Sequence, residues 1–240
     1  MALSPESHPR DAASLVIVDH ANGEPRVLLG KRRTTQVFAP GKFVFPGGSV
    51  DPADAALVTS ERLSTVDRFA LNYQPGASAA QLPPETFALA AIRETFEEAG
   101  LLFGRPLGGL AASQAPDSWL PILALGAGPN LAPLTFIARA ITPPRRPRRF
   151  DARFFLADAR HISHRLPTTD GEFEALDWFN FAAAARLDLH GMTREIIAET
   201  GRFLALSAIE RQAAPVPFYV EGPAGWQRNL IYRSAPPANS

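Results

Sequence analysis

The stretch Glu85-Thr86-Phe87-Ala88-Leu89-Ala90-Ala91-Ile92-Arg93-Glu94-Thr95-Phe96-Glu97-Glu98-Ala99-Gly100-Leu101 decides how the rest of the chain is read. It predicts a helix over residues 85–99. Pro83-Pro84 sit where a first turn tolerates proline, and Gly100 is placed to close the helix. Successive helical residues turn by about 100°. Glu94, Glu97 and Glu98 therefore share one face, because positions three and four apart are neighbours. Ala88, Ile92, Thr95 and Ala99 gather on another face and are expected to pack on a core.

Three carboxylates on one face repel one another unless something neutralises them. A hard divalent cation with oxygen ligands does so, and Mg²⁺ is the usual partner of carboxylates and substrate phosphates. A Glu-rich helix face alone reads first as a solvated surface, since Glu is a good helix former. What turns the reading toward a site is the company it keeps. Arg93 precedes it, Gly100 stops it, and a glycine turn, Phe45-Pro46-Gly47-Gly48, lies upstream.

Composition narrows the classes. The 240 residues are 46% hydrophobic and 20% charged, which suits one generous folded domain. Lys+Arg and Asp+Glu number 24 each, so net charge gives no pull toward nucleic acid or anionic membrane. Cysteine is absent, which excludes disulfides, thiolate nucleophiles and Cys-ligated metals. No apolar run approaches the roughly 20 residues of a membrane span. The first ten residues have no apolar core, so no secretory leader is expected and a cytoplasmic location is.

Working outward, Leu15-Val16-Ile17-Val18 and Arg26-Val27-Leu28-Leu29 read as a strand hairpin. Residues 41–48 read as a strand ending in a tight glycine turn. Residues 52–73 hold one or two helical turns, and 74–84 suggests a loop. Residues 119–125 read as a short helix or strand. Residues 134–140 and 150–156 read as paired strands, and 172–179 as another. Helices are expected at 181–187 and 193–209, the latter a packing or dimer-forming element, with a Pro-rich tail from Ala214 wrapping the surface. The interspersed pattern predicts an α/β fold, an α/β/α sandwich with a mixed sheet.

The box around Arg93 resembles the signature of Nudix hydrolases, G-x5-E-x7-R-E-U-x-E-E-x-G-U with U aliphatic. Glu85, Arg93, Glu94, Glu97, Glu98, Gly100 and Leu101 keep its spacing, and Thr95 stands at an aliphatic position. Between Gly48 and Glu85 the pattern has five residues, whereas here the segment 49–84 intervenes. Loop closure grows only logarithmically with length, so Gly48 and Glu85 can still meet. This interrupted box is similar to the subgroup containing the peroxisomal coenzyme A diphosphatases of animals. Arg149-Phe150-Asp151-Ala152-Arg153-Phe154-Phe155 and Glu172…Trp178 look like that subgroup too. The domain expected is 12–187, with 49–84 inserted in the box and a helical extension, 188–240, packed on it.

The resemblance implies metal ligation (Mg²⁺ or Mn²⁺) by Glu94, Glu97 and Glu98 with the carbonyl of Gly48, one glutamate also positioning the attacking water. It implies a supporting Arg93–Glu85 ion pair, and it sets Glu172 where relatives place an additional carboxylate that serves as metal ligand or base, the alternative reading being a solvent-exposed strand residue. The implied reaction is hydrolysis of a diphosphate linkage in a nucleotide derivative. Coenzyme A or acyl-coenzyme A is the first choice, ADP-ribose or NADH the next, and a non-cleaving nucleotide binder the rival class. Leu28-Leu29-Gly30-Lys31-Arg32 and Gly41…Gly48 keep the frame of a coenzyme A pattern, L-L-T-x-R-S-x3-R-x3-G-x3-F-P-G-G. Arg33 and Val37 depart from it. The cluster Arg145-Arg146-Pro147-Arg148-Arg149 lacks interleaved aromatics, which weighs against nucleic acid and leaves phosphate contacts or a solvated loop. His161, His164 and His190 read as surface or locally hydrogen-bonded side chains.

Overall fold

Alternation along one central strand builds both faces of the molecule. In β1 (Arg10–Asp19), Leu15 and Ile17 join one apolar core while Val16 and Val18 join another, as a two-residue side-chain period requires. The computed structural model describes residues 8–21, 23–73, 82–107, 115–146, 148–167, 171–222 and 225–234. After β1 come β2 (Arg26–Arg32), β3 (Phe43–Val44), β4 (Gly47–Ser49), α1 (Pro52–Ala56), α2 (Thr65–Leu71) and α3 (Pro84–Ala99). Next are β5 (Leu101–Leu102), β6 (Gly104–Pro106), α4 (Leu120–Leu123), β7 (Ala127–Pro129), β8 (Thr135–Ile141), β9 (Phe150–Asp158), β10 (His164–Arg165) and β11 (Phe173–Asn180). The chain continues through α5 (Phe181–Ala184), α6 (Gly191–Leu204), α7 (Ala208–Ala213), β12 (Val216–Gly222) and β13 (Gly225–Ile231).

The main sheet runs β11-β2-β1-β9-β8-β12-β13, with β3 beside β2 and β4 beside β1. β1 is parallel to β9 and β12 to β8, while the remaining pairs are antiparallel, so the sheet is mixed. On one face α3 lays Phe87, Ala88 and Ile92 over Leu15 and Ile17. On the other, Ala184 of α5 and Ile196 and Ile197 of α6 cover Val16, Val18 and Leu29. This is the expected α/β/α sandwich.

Several segments differ from the sequence reading. Residues 41–48 form two short strands, not one, because Pro46 has no N–H to continue a ladder. β3 pairs with β2 and β4 with β1, and the Pro46 carbonyl accepts the Leu15 N–H at 3.0 Å. The helix read over 193–209 is broken: Ser207 caps the N-terminus of α7 and, with Glu210, closes a capping box. The helix read over 181–187 stops at Ala184, and 119–125 resolves into a 3₁₀ turn, Asp117–Trp119, followed by α4. The extension is not wholly helical, and residues 216–222 and 225–231, expected to wrap the surface, form strands instead. β12 and β13 enlarge the central sheet, with Val216 and Phe218 in one core and Tyr219 in the other. Pro217 is tolerated because pairing with β8 starts one residue later, at Phe218. Of the loop expected at 74–84, residues 74–81 lie outside those described.

The described part of the segment 49–84, residues 49–73 and 82–84, contributes to the core. Leu57, Leu63, Ala70 and Leu71 are buried against α3 and its sheet face. α1 opens with a capping box between Asp51 and Asp54, and Ser64 caps α2.

On α3 the apolar face is the one the wheel predicts: Ala88, Ile92, Thr95 and Ala99 are all buried. Gly100 closes the helix at φ 65°, its N–H donating to Phe96 O at 2.9 Å. The Thr95 Oγ1 hydroxyl is buried without a partner. Thr95→Val keeps the shape and removes the unsatisfied group, so it is expected to add roughly 1 kcal/mol of stability. Thermal denaturation checks this; a lower melting temperature would mean the hydroxyl is bound after all.

Candidate active site

The site begins at the Gly47-Gly48 turn. β4 is pinned antiparallel to β1 by the register Ala13↔Gly48 and Ser14↔Gly47, and α3 packs across both strands. The Gly47 N–H donates to Glu98 Oε2 at 2.8 Å. At Gly48 a side chain would push the Glu94 carboxylate aside, since a Cβ there would lie 2.5 Å from its carboxyl carbon. The inserted residues thus leave and return without parting Gly48 from the acids.

Glu98 is only 6% exposed. Burial pushes its carboxyl well above the usual range; the Gly47 N–H opposes this, and the charges of Glu94 and Glu172 add to it. Burial likewise pushes Glu94 up to about 7, opposed by Arg93 and reinforced by Glu97. Two desolvated carboxylates that raise each other's proton affinity are what a divalent ion relieves. The donors are all oxygen, the kind that Mg²⁺ and Mn²⁺ take, so the residues present fit such an ion. Among the described residues no three Asp, Glu or His side chains stand preassembled as a cage.

The other expected residues are distributed as follows. Glu172 lies on the same cavity as Gly48, Glu94 and Glu98, held by a short contact to Arg32 Nη2. Glu97 is not on that cavity; its side chain is 39% exposed and 3.1 Å from Arg93 Nη1. The expected Arg93–Glu85 ion pair is not formed. The two stand eight positions apart on the helix, roughly 12 Å along the axis, and each finds a partner in the insertion. Glu85 Oε1 is 2.9 Å from Arg68 Nε of α2, without hydrogen-bond alignment. Arg93 is 5% exposed and places all five N–H groups. Nε and Nη2 fork onto Asp54 at 2.8 and 2.9 Å, Nη2 also reaches Ser49 O at 3.1 Å, and Nη1 reaches Glu94 Oε1 at 2.9 Å and Glu97 Oε2 at 3.1 Å.

The cavity, of about 280 Å³, also has an aromatic wall. Phe38 contributes to it, its ring 5.1 Å from His190, 5.5 Å from Phe150 and 5.9 Å from the Arg32 guanidinium, and Arg148 lines the same cavity. Burial lowers the proton affinity of His190, with Arg146 and Lys42 acting in the same sense. Arg32 adds a buried Nε with no partner. A larger cavity, about 510 Å³, opens at the far end of β1. Two of its cations are already committed, the buried Arg233 to Asp67 and the half-buried Arg211 to carbonyls at the end of α6.

Sequence reasoning missed Asp54, Phe38 and the placement of His190. Asp51-x-x-Asp54 carries a helix-start signal, but nothing local joins Asp54 to an arginine 39 residues away. Of the basic cluster, Arg148 lies on the cavity and Arg149 Nε donates to Thr142 O. Pro147 lies outside the described residues.

Among solved structures, a NUDIX hydrolase from Alicyclobacillus acidocaldarius is 30% identical. It matches over 80% of this chain and 90% of its own, with a TM-score of 0.58. The chain belongs to the Nudix hydrolase family. No family model matches it. An acyl-coenzyme A diphosphatase of Gallus gallus is 34% identical over 152 residues, 50% of this chain and 40% of that protein. Putative nudix hydrolase 7 of Caenorhabditis elegans is 36% identical over 93 residues, 39% of this chain and 22% of that protein. The match therefore spans less than half the length of these two Nudix relatives. Among the described residues no helix is long and apolar enough to cross a membrane.

Proposed function

We propose that this chain hydrolyses the diphosphate linkage of a nucleoside diphosphate derivative, with coenzyme A or an acyl-coenzyme A as the first candidate. The observation that carries the reading is the meeting, across an interrupted box, of the Gly47-Gly48 turn with the carboxylates of Glu98 and Glu94. The Gly48 carbonyl, Glu94 and Glu98 would hold Mg²⁺ or Mn²⁺, with Glu97 and Glu172, the residue before β11, as further carboxylate ligands. Bound there, the ion supplies positive charge against phosphate oxygens and acidifies a water. Arg93 fixes Glu94 and Glu97 in orientation, and the free Arg32 N–H offers a donor to an anionic substrate. The phosphorus–oxygen bond of the bridge breaks as water adds, giving two phosphorylated products.

The aromatic wall of the cavity suits an aromatic base: Phe38, Phe150 and His190 offer rings and Arg148 a cation. The Gallus gallus relative, named an acyl-coenzyme A diphosphatase, puts that substrate first. A binder that does not cleave has no use for buried acids that repel one another.

The test is hydrolysis of coenzyme A, an acyl-coenzyme A, ADP-ribose and NADH with Mg²⁺ and with chelator. Cation-dependent release of two phosphorylated products is expected, fastest with a coenzyme A compound. Binding of a panel member with no turnover would favour the binder, and faster turnover of ADP-ribose or NADH would replace the substrate.

A further inference from the structure

We infer that Asp54, a residue of the insertion, is the positioning residue of the cation site, acting through Arg93 in the place the box would give to Glu85. The inference rests on the cation-site reading proposed above.

Asp54 is fully buried, and its carboxylate is over-determined. Arg93 forks onto both oxygens, Trp119 Nε1 donates to Oδ1 at 3.2 Å, and the Asp51 N–H donates to Oδ2 at 2.9 Å. The guanidinium is therefore locked in plane from one side. Its opposite edge is what grips Glu94 and Glu97. A planar fork held on one edge transmits orientation to groups on the other. Glu85, left without Arg93, stands beside Arg68 on α2. The insertion and the box have thus exchanged partners, Arg93 with Asp54 and Glu85 with Arg68. Lengthening the box did not loosen the site, because the inserted chain brought its own counter-ion.

The test is Mn²⁺ affinity of the full chain, read by electron paramagnetic resonance of free Mn²⁺, alongside melting temperature. Asp54→Asn is expected to weaken Mn²⁺ binding about tenfold, the usual cost of losing a residue that orients a metal ligand. Asp67→Asn is the control. Asp67 is a second buried carboxylate of the insertion, paired with Arg233 and the Phe136 N–H, with no contact to Arg93. It is expected to lower the melting temperature while leaving Mn²⁺ affinity unchanged. In a cycle with Arg93→Ala, the double variant is expected to bind no more weakly than Arg93→Ala alone, because Asp54 acts only through that arginine. Should Asp54→Asn fail to fold, Asp54→Glu keeps the charge, moves the fork off register and reads the same quantity. Affinity within twofold of wild type in the folded Asp54 variant, or an equal loss in Asp67→Asn, overturns the inference and leaves the site reading standing. No Mn²⁺ uptake by the wild type removes both.

Discussion

Glu98→Gln is expected to cut turnover by about 10²–10³-fold while leaving the cation-free protein as stable as wild type or more so. The loss follows from withdrawing a charged ligand, worth several kcal/mol of stabilisation at the reacting phosphate. The stability side is settled by sign. Burial raises the Glu98 carboxyl well above 4.5. The stability linked to it is fully present below that value and lost as pH rises through the folded-state pKa. At neutral pH the folded wild type thus carries either a desolvated charge or a proton that the unfolded chain would release. Glutamine carries neither, yet its amide oxygen still accepts the Gly47 N–H. Melting curves at neutral pH, with chelator and with Mg²⁺, read this directly. Chelated Glu98→Gln should melt no lower than wild type, and Mg²⁺ should stabilise only the wild type. A variant that melts lower and still turns over substrate would take Glu98 out of the site.

That opposition between stability and activity explains why the site was legible in sequence. The face of α3 follows from helical period alone, and so do the buried Ala88, Ile92, Thr95 and Ala99 behind it. The approach of Gly48 was legible because loop length is a weak thermodynamic variable. What could not be read is what the insertion carries. The partner of Arg93 depends on α1 docking onto α3, a tertiary fact with no sequence period. Trp119 completes the same cluster from further along still. The C-terminal hairpin was hidden for a different reason. Pro215 and Pro217 mask an alternation in Val216, Phe218 and Val220 that only the register with β8 reveals. His190 and Phe38 are brought together by the docking of the extension, and neither has a local signature of a binding wall.

Asp151→Ala is expected to destabilise the protein by about 3–5 kcal/mol, the cost of stranding buried charges. On a chain of this size that lowers the melting temperature by on the order of 10 °C. Asp151 receives Arg139 through Nε at 2.8 Å and Nη2 at 2.6 Å, and Arg153 Nη2 stands 3.4 Å away. All three are buried. Arg153 also pairs with Asp11 and lies 4.0 Å from the Phe87 ring of α3, whereas Arg139 holds the Tyr73 carbonyl of the insertion at 2.7 Å. Removing the shared carboxylate leaves Arg139 without a counter-ion beneath the sheet. If stranded charge is the cause, Arg139→Met combined with Asp151→Leu should recover much of the loss in denaturant midpoint, because an apolar pair leaves no charge uncompensated. A double variant as unstable as Asp151→Ala would put the cost in lost geometry instead. Activity separates the two jobs of β9. Ala152 and Phe154 line the cavity while Asp151 and Arg153 point to the other face of the sheet, as alternation demands. Below its melting temperature, folded Asp151→Ala is therefore expected to keep the wild-type kcat; a fall in kcat would show that the triad sets the position of α3 as well as its stability.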